Sequence, residues 1–231
     1  MSECITVQIN YFGPYLTKED IPKILDPMFV TAILSCQRTL LKSFFGLPVS
    51  ALSVEILERY VEVTDNGLHS AVVPHTAEIL ERLLKPLRSA KRSYSLEDYV
   101  ATIALCGIAG EMLAILLWQI NDVRLKGVQI TEKEELGLFG RTFERLGQEK
   151  KIEILKTFGH IDDRHYQLFK EVKDSRRPYL HLWSADFAKE KGDALDVFKK
   201  TFQLFIDITG IGLADAGTVK INPKLMKLFK N

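Results

Sequence analysis

Residues 96–122 read LEDYVATIALCGIAGEMLAILLWQIND. From Val100 to Ile120 the run is almost continuously apolar, and about 20 such residues suffice to cross a bilayer. Glu111 sits near its centre, where a carboxylate costs roughly 2.5 kcal/mol or more in lipid. Glu97, Asp98 and Asp122 flank the run without a clear basic asymmetry. A helix that is apolar all round and enclosed by protein satisfies both observations. The chain is therefore expected to be all-α and soluble, with this helix buried.

Outward from this run the sequence reads as helix after helix. Upstream, Pro74 is placed to open a helix through AEILERLL, and Pro86 is expected to kink or break it. Earlier helices are expected from Pro27 to Phe45, ended by Gly46 and Pro48, and over residues 53–63. Downstream, Thr131 and Glu134 form a capping box, opening a helix expected to continue to Gly147. QEKKIEILKTF follows, closed by Gly159. Asp162 caps a helix whose Tyr166, Phe169 and Val172 recur at helical spacing. The last long helix is expected from Asp193, with Leu195, Phe198, Phe202 and Phe205 on one stripe and Gly210 at its end. Residues 5–10 and 218–222 alternate like short strands and are candidates to pair as a small terminal sheet. No convincing linker interrupts the chain; a seam at Asp65–Pro74 would divide an N-terminal helical extension (1–70) from a helical domain (71–231), the alternative being one domain.

Composition narrows the function classes. The 231 residues are 46% hydrophobic and 26% charged, as in an ordinary globular protein. Thirty-one basic against 30 acidic residues give a net charge of +1, which argues against coating nucleic acid by bulk charge but leaves room for a local basic cleft. Cys4, Cys36 and Cys106 are too scattered for a zinc site or a disulfide framework. Free thiols and an N-terminus without a signal-peptide pattern point to the cytoplasm. GIAGEM at 107–112 lies within a helix, without the preceding strand that a nucleotide-binding loop needs.

The chemistry is concentrated in residues 159–183, GHIDDRHYQLFKEVKDSRRPYLHLW. An amphipathic helix runs into Arg176, and His181 follows after four intervening residues. Arg-x4-6-His at the end of such a helix, followed by a final amphipathic helix, resembles the HEPN domain. So does Glu111 in an upstream buried helix. The resemblance covers roughly residues 75–210 and implies a HEPN-like helical bundle, a homodimer with the motif at its interface, and metal-independent cleavage of RNA without a cofactor. It implies catalytic roles for Arg176 and His181, with Glu111 orienting Arg176. Lys173, Arg177 and Tyr179 are the candidate substrate contacts. Many such proteins are toxins or phage-defence effectors, so RNA and a neutralising antitoxin are the expected partners. The family commonly has a small polar residue after the motif arginine; here Arg177 and Pro178 follow. That departure keeps open a non-catalytic protein on the same fold, binding RNA, a nucleotide or another protein.

The residue types suit the chemistry. Histidine titrates near neutrality and can take the proton of an RNA 2′-hydroxyl, while arginine offers phosphate oxygens a permanently charged fork. On a regular helix, positions five apart point about 140° away from each other, so a break near Pro178 is needed for Arg176 and His181 to converge. Each residue also has a plainer reading. His181 can pack with Trp183, Arg176 can pair with Glu171 or Asp174, and Glu111 can pair with another helix. His160 and His165 are expected at the surface, and His69 and His75 flank the seam. The run Arg82, Lys85, Arg88, Lys91 and Arg92 either tracks a phosphate backbone or forms a solvated helix face.

Overall fold

The computed structural model describes residues 7–8, 12–64, 73–74, 78–121, 123–125, 128–180, 187–210, 212–213 and 219–225. Helix accounts for 77% of them. In chain order the helices are α1 (Ile21–Leu25), α2 (Ala32–Phe45), α3 (Val54–Thr64), α4 (Glu78–Ser95), α5 (Tyr99–Ile120), α6 (Glu132–Phe139), α7 (Gln148–Thr157), α8 (Asp163–Ser175), α9 (Arg177–Leu180) and α10 (Glu190–Thr209). Among the described residues strands form three antiparallel two-residue pairs: β1 (Val7–Gln8) with β2 (Val73–Pro74), β3 (Arg124–Leu125) with β4 (Val128–Gln129), and β5 (Gly212–Leu213) with β6 (Val219–Lys220). The two terminal stretches expected to pair with each other therefore take other partners. Val219 closes a short hairpin onto Leu213, a contact that costs far less loop entropy than joining the chain's two ends.

Helix α5 is the apolar run of 96–122. The Asp98 side chain accepts the Ala101 N–H at 3.1 Å and starts it. It is the one helix among the described residues long and apolar enough to cross a membrane. Here it packs against α4, α7, α8 and α10, and Ile103, Cys106, Leu113 and Ala114 are fully buried. Each large apolar side chain so enclosed contributes about 1.5–3 kcal/mol of burial. The Cys106 thiol, inside this core, is pushed up to about 12 by burial, partly offset by a hydrogen bond with Thr201.

The local signals act as physical chemistry dictates, with four departures. Helix α2 begins at Ala32 rather than Pro27, because the Thr31 hydroxyl caps it by accepting the Leu34 N–H at 3.2 Å. Pro74 lies in β2, where the missing N–H costs nothing on a two-stranded ladder, and α4 begins at Glu78. Helix α4 continues through Pro86, because buried Leu83, Leu84, Leu87 and Ala90 hold both sides of the proline in the core. Helix α6 stops at Phe139 rather than Gly147. Gly140 takes the left-handed conformation (φ 73°), and Glu135 reaches across the turn to accept the Phe143 N–H at 2.7 Å. The expected boundary between 1–70 and 71–231 falls largely outside the described residues, as do His69 and His75.

Two hydrophobic clusters organise the described residues. The smaller joins α1, α2 and α3 through Ile24, Leu41, Phe44, Leu57 and Tyr60. The larger surrounds α5 and takes in Phe12 and Val63 from the N-terminal side. Lys91 of α4 ties the two together. It is 3% exposed, donates to the Phe12 carbonyl at 2.7 Å and lies 4.0 Å from the Tyr60 ring centroid. It thus belongs to neither a phosphate-tracking nor a solvated face. Burial holds its pKa well below the usual lysine value.

Candidate functional site

Helix α8 opens on the Asp162 cap, whose carboxylate accepts the His165 N–H at 2.8 Å, and buries Phe169 and Val172 against α5. It ends at Ser175. Arg176 follows with right-handed helical backbone angles (φ −77°, ψ −25°), and the four-residue α9 begins at Arg177 with Pro178 in its first turn, where a missing N–H is tolerated. Pro178 therefore interrupts the helical hydrogen bonding between α8 and α9 without turning the backbone out of the helical region at Arg176. His181 lies outside the described residues, as does Trp183.

The Arg176 side chain is half-buried and lies against the backbone of α5. A methyl group at Gly107 would come within 2.7 Å of Arg176 Cδ and 3.4 Å of Nη1. One turn along, a methyl at Gly110 would meet Val172 Cγ1 at 2.9 Å and Gln148 Nε2 at 3.6 Å. The two glycines of GIAGEM let α8 and the start of α7 approach α5 closely. Among the described residues neither the Arg176 nor the Arg177 guanidinium has an ion-pair partner. Arg177 is exposed.

Other expected site residues are differently engaged. Glu111 pairs with Lys151 of α7 at 2.6 Å rather than with Arg176, and the lysine side chain is 1% exposed. Lys173 lies between Glu149 (3.3 Å) and Asp174 (3.2 Å). Burial works against its charge, but hydrogen bonds to Asp174 and Glu149 outweigh it and raise its pKa. The Tyr179 hydroxyl donates to Asp193 at 2.6 Å, fastening α9 to α10. Lys151 and Gln148 were not singled out from the sequence. Extending the Ile152–Leu155 stripe of α7 backward by one turn lands on both, and that polar intrusion was the available signal.

Comparison with known proteins finds no matching family, no matching curated protein and no matching solved structure.

A second polar cluster sits at the opposite end of α8, about 18 Å away along the helix. His165 is half-buried, not superficial: Nδ1 meets Asp162 at 2.7 Å and Nε2 meets Asp207 at 3.4 Å. His160 borders the same cavity of about 190 Å³. Burial, then the charge of Lys224, holds its pKa below the usual histidine value. Among the described residues, no group of histidine, cysteine and carboxylate side chains could hold a metal ion.

Proposed function

We propose that the chain is a metal-independent endoribonuclease of HEPN type, acting in the cytoplasm as a homodimer and held in check by a protein partner, as a toxin or phage-defence effector. The observation that carries this reading is Arg176. A half-buried guanidinium without a carboxylate partner among the described residues, set between α8 and α9 beside a second arginine unpaired among those residues, is suited to a phosphate group. His181, five positions on, takes the proton of the RNA 2′-hydroxyl. The 2′-oxygen then attacks the adjacent phosphorus, the P–O5′ bond breaks, and the 5′-oxygen leaves with a proton drawn from water, while His181 returns its proton to solvent. The products are a 2′,3′-cyclic phosphate and a 5′-hydroxyl. Arg176 offsets the charge gathering on the non-bridging oxygens, and Arg177 adds phosphate affinity. Beside Gly107, α5 exposes Val100 (38%) and Ile108 (47%), an apolar edge suited to a second copy.

The test is to incubate the protein with mixed single-stranded RNA and a chelator, beside Arg176→Ala and His181→Ala. Chelator-resistant cutting with cyclic-phosphate ends, lost in both variants, is the expected result. Cutting by His181→Ala at the wild-type rate would refute the mechanism. Tight binding with intact RNA would replace it with a non-catalytic RNA-binding role.

A further inference from the structure

Gln148 is a costly polar side chain among the described residues. It is 5% exposed, and both its carboxamide oxygen and nitrogen are buried without a hydrogen-bond partner among the described residues. A leucine or methionine would fill the same space without an unmet donor and acceptor. Its surroundings locate its use. Gln148 Nε2 lies over Gly110, and Arg176 lies over Gly107. The two glycines are three residues apart on α5, a rise of about 4.5 Å. The carboxamide and the guanidinium therefore occupy neighbouring levels of one seam between α5, α7 and α8. The other charges in that seam are matched, Lys151 by Glu111 and Lys173 by Glu149 and Asp174.

We infer that Gln148 is a positioning residue for Arg176, its carboxamide oxygen accepting from the guanidinium when that group turns to a phosphate. The inference rests on the ribonuclease reading. A guanidinium has five N–H donors and a phosphate oxygen pair takes two. An acceptor behind the group fixes its plane, and a locally unfavourable residue retained beside a site is the expected cost of such an arrangement.

Gln148→Leu, Gln148→Met and Gln148→Glu separate the outcomes, read by thermal unfolding and by steady-state RNA cleavage. Leucine and methionine should raise Tm while lowering kcat at least 10-fold with KM within about twofold. Glutamate keeps the acceptor, so it should restore most of kcat relative to leucine. Methionine, unbranched and of similar length, guards against a packing defect from leucine. If leucine and methionine cleave at the wild-type rate while Arg176→Ala does not, the Gln148 role is wrong and the ribonuclease reading stands. If kcat falls only in proportion to a lowered Tm, or glutamate is as poor as leucine, Gln148 is structural. Wild-type protein that leaves RNA intact fails at the earlier reading, and this role falls with it.

Discussion

Replacing Glu111 by alanine removes the carboxylate that holds Lys151 Nζ at 2.6 Å. The lysine side chain is 1% exposed, so its ammonium would remain in the bundle without a counter-charge; the Glu111 side chain is 35% exposed. Removing one partner of a buried pair costs about 3–5 kcal/mol. Because water reaches the glutamate's side, the lower end, about 3 kcal/mol, is expected for Glu111→Ala. Lys151→Met leaves a carboxylate that water can solvate and should cost about 1 kcal/mol. The double variant, with neither charge, should lie within about 1 kcal/mol of wild type. Urea denaturation of the four proteins would then give a coupling of about 4 kcal/mol. Heating should show Glu111→Ala melting about 6–12 °C lower, at roughly 2–4 °C per kcal/mol for a chain of this size. Additive single costs, with a coupling below about 0.5 kcal/mol, would refute the pairing as an energetic unit. The same proteins test the site. The double variant should keep RNA cleavage, whereas a stable but inactive double variant would return Glu111 to Arg176.

The glycines of α5 should respond in opposite ways. At Gly110 an alanine methyl meets Val172 Cγ1 at 2.9 Å. Overpacking of about 1–3 kcal/mol should exceed the gain of about 1 kcal/mol in helix propensity, so denaturation should show a net loss. At Gly107 the methyl meets a flexible arginine side chain at 2.7 Å, which can swing away. Stability should hold or rise while RNA cleavage falls at least about 10-fold, a tenth of the rate corresponding to 1.36 kcal/mol of barrier; cleavage at the wild-type rate would contradict the placement of Arg176. Lys91 supplies a pH dependence. Its folded pKa is depressed by burial, so between that value and the ordinary 10.5 the unfolded chain binds more protons. Stability should climb with pH across that window, level off above it, and be lowest below the folded value. Unfolding measured across alkaline pH should show this rise in wild type and its loss in Lys91→Met.

Local grammar carried much of the fold. Thr131 and Asp162 cap helices where their hydroxyl or carboxylate can meet a free N–H, and that signal is contained in a few residues. Where the sequence misled, distant packing had overruled a local preference. Pro86 should interrupt a helix, yet buried leucines on both sides keep α4 running. Lys91 belongs to a basic run, yet α2, α3 and Phe12 close over it. The candidate site was less legible. A break at Pro178 was expected because proline restricts the residue before it, yet Arg177 is helical and Arg176 keeps helical angles, since Pro178 falls in the first turn of α9 where its missing N–H is tolerated. The partner of Glu111 was not legible, because Lys151 lies 40 positions along the chain and only the folded bundle brings them together. The crowding of Arg176 onto Gly107 was equally invisible, since two helices must first be placed side by side.

Helix α5 also constrains how the protein is made. Its cover includes α10, which begins seventy positions after α5 ends, from Ile120 to Glu190. At synthesis rates of about 5–20 residues per second, that interval lasts roughly 4–14 s. Throughout it the nascent chain carries a greasy segment that its own later residues have yet to shelter. Helix α4, already made, can cover one side, but the other must be guarded by a chaperone or by the speed with which α7 and α8 fold against it. Slowing translation between residues 120 and 190 should therefore lower the soluble yield more than an equal pause placed after residue 210.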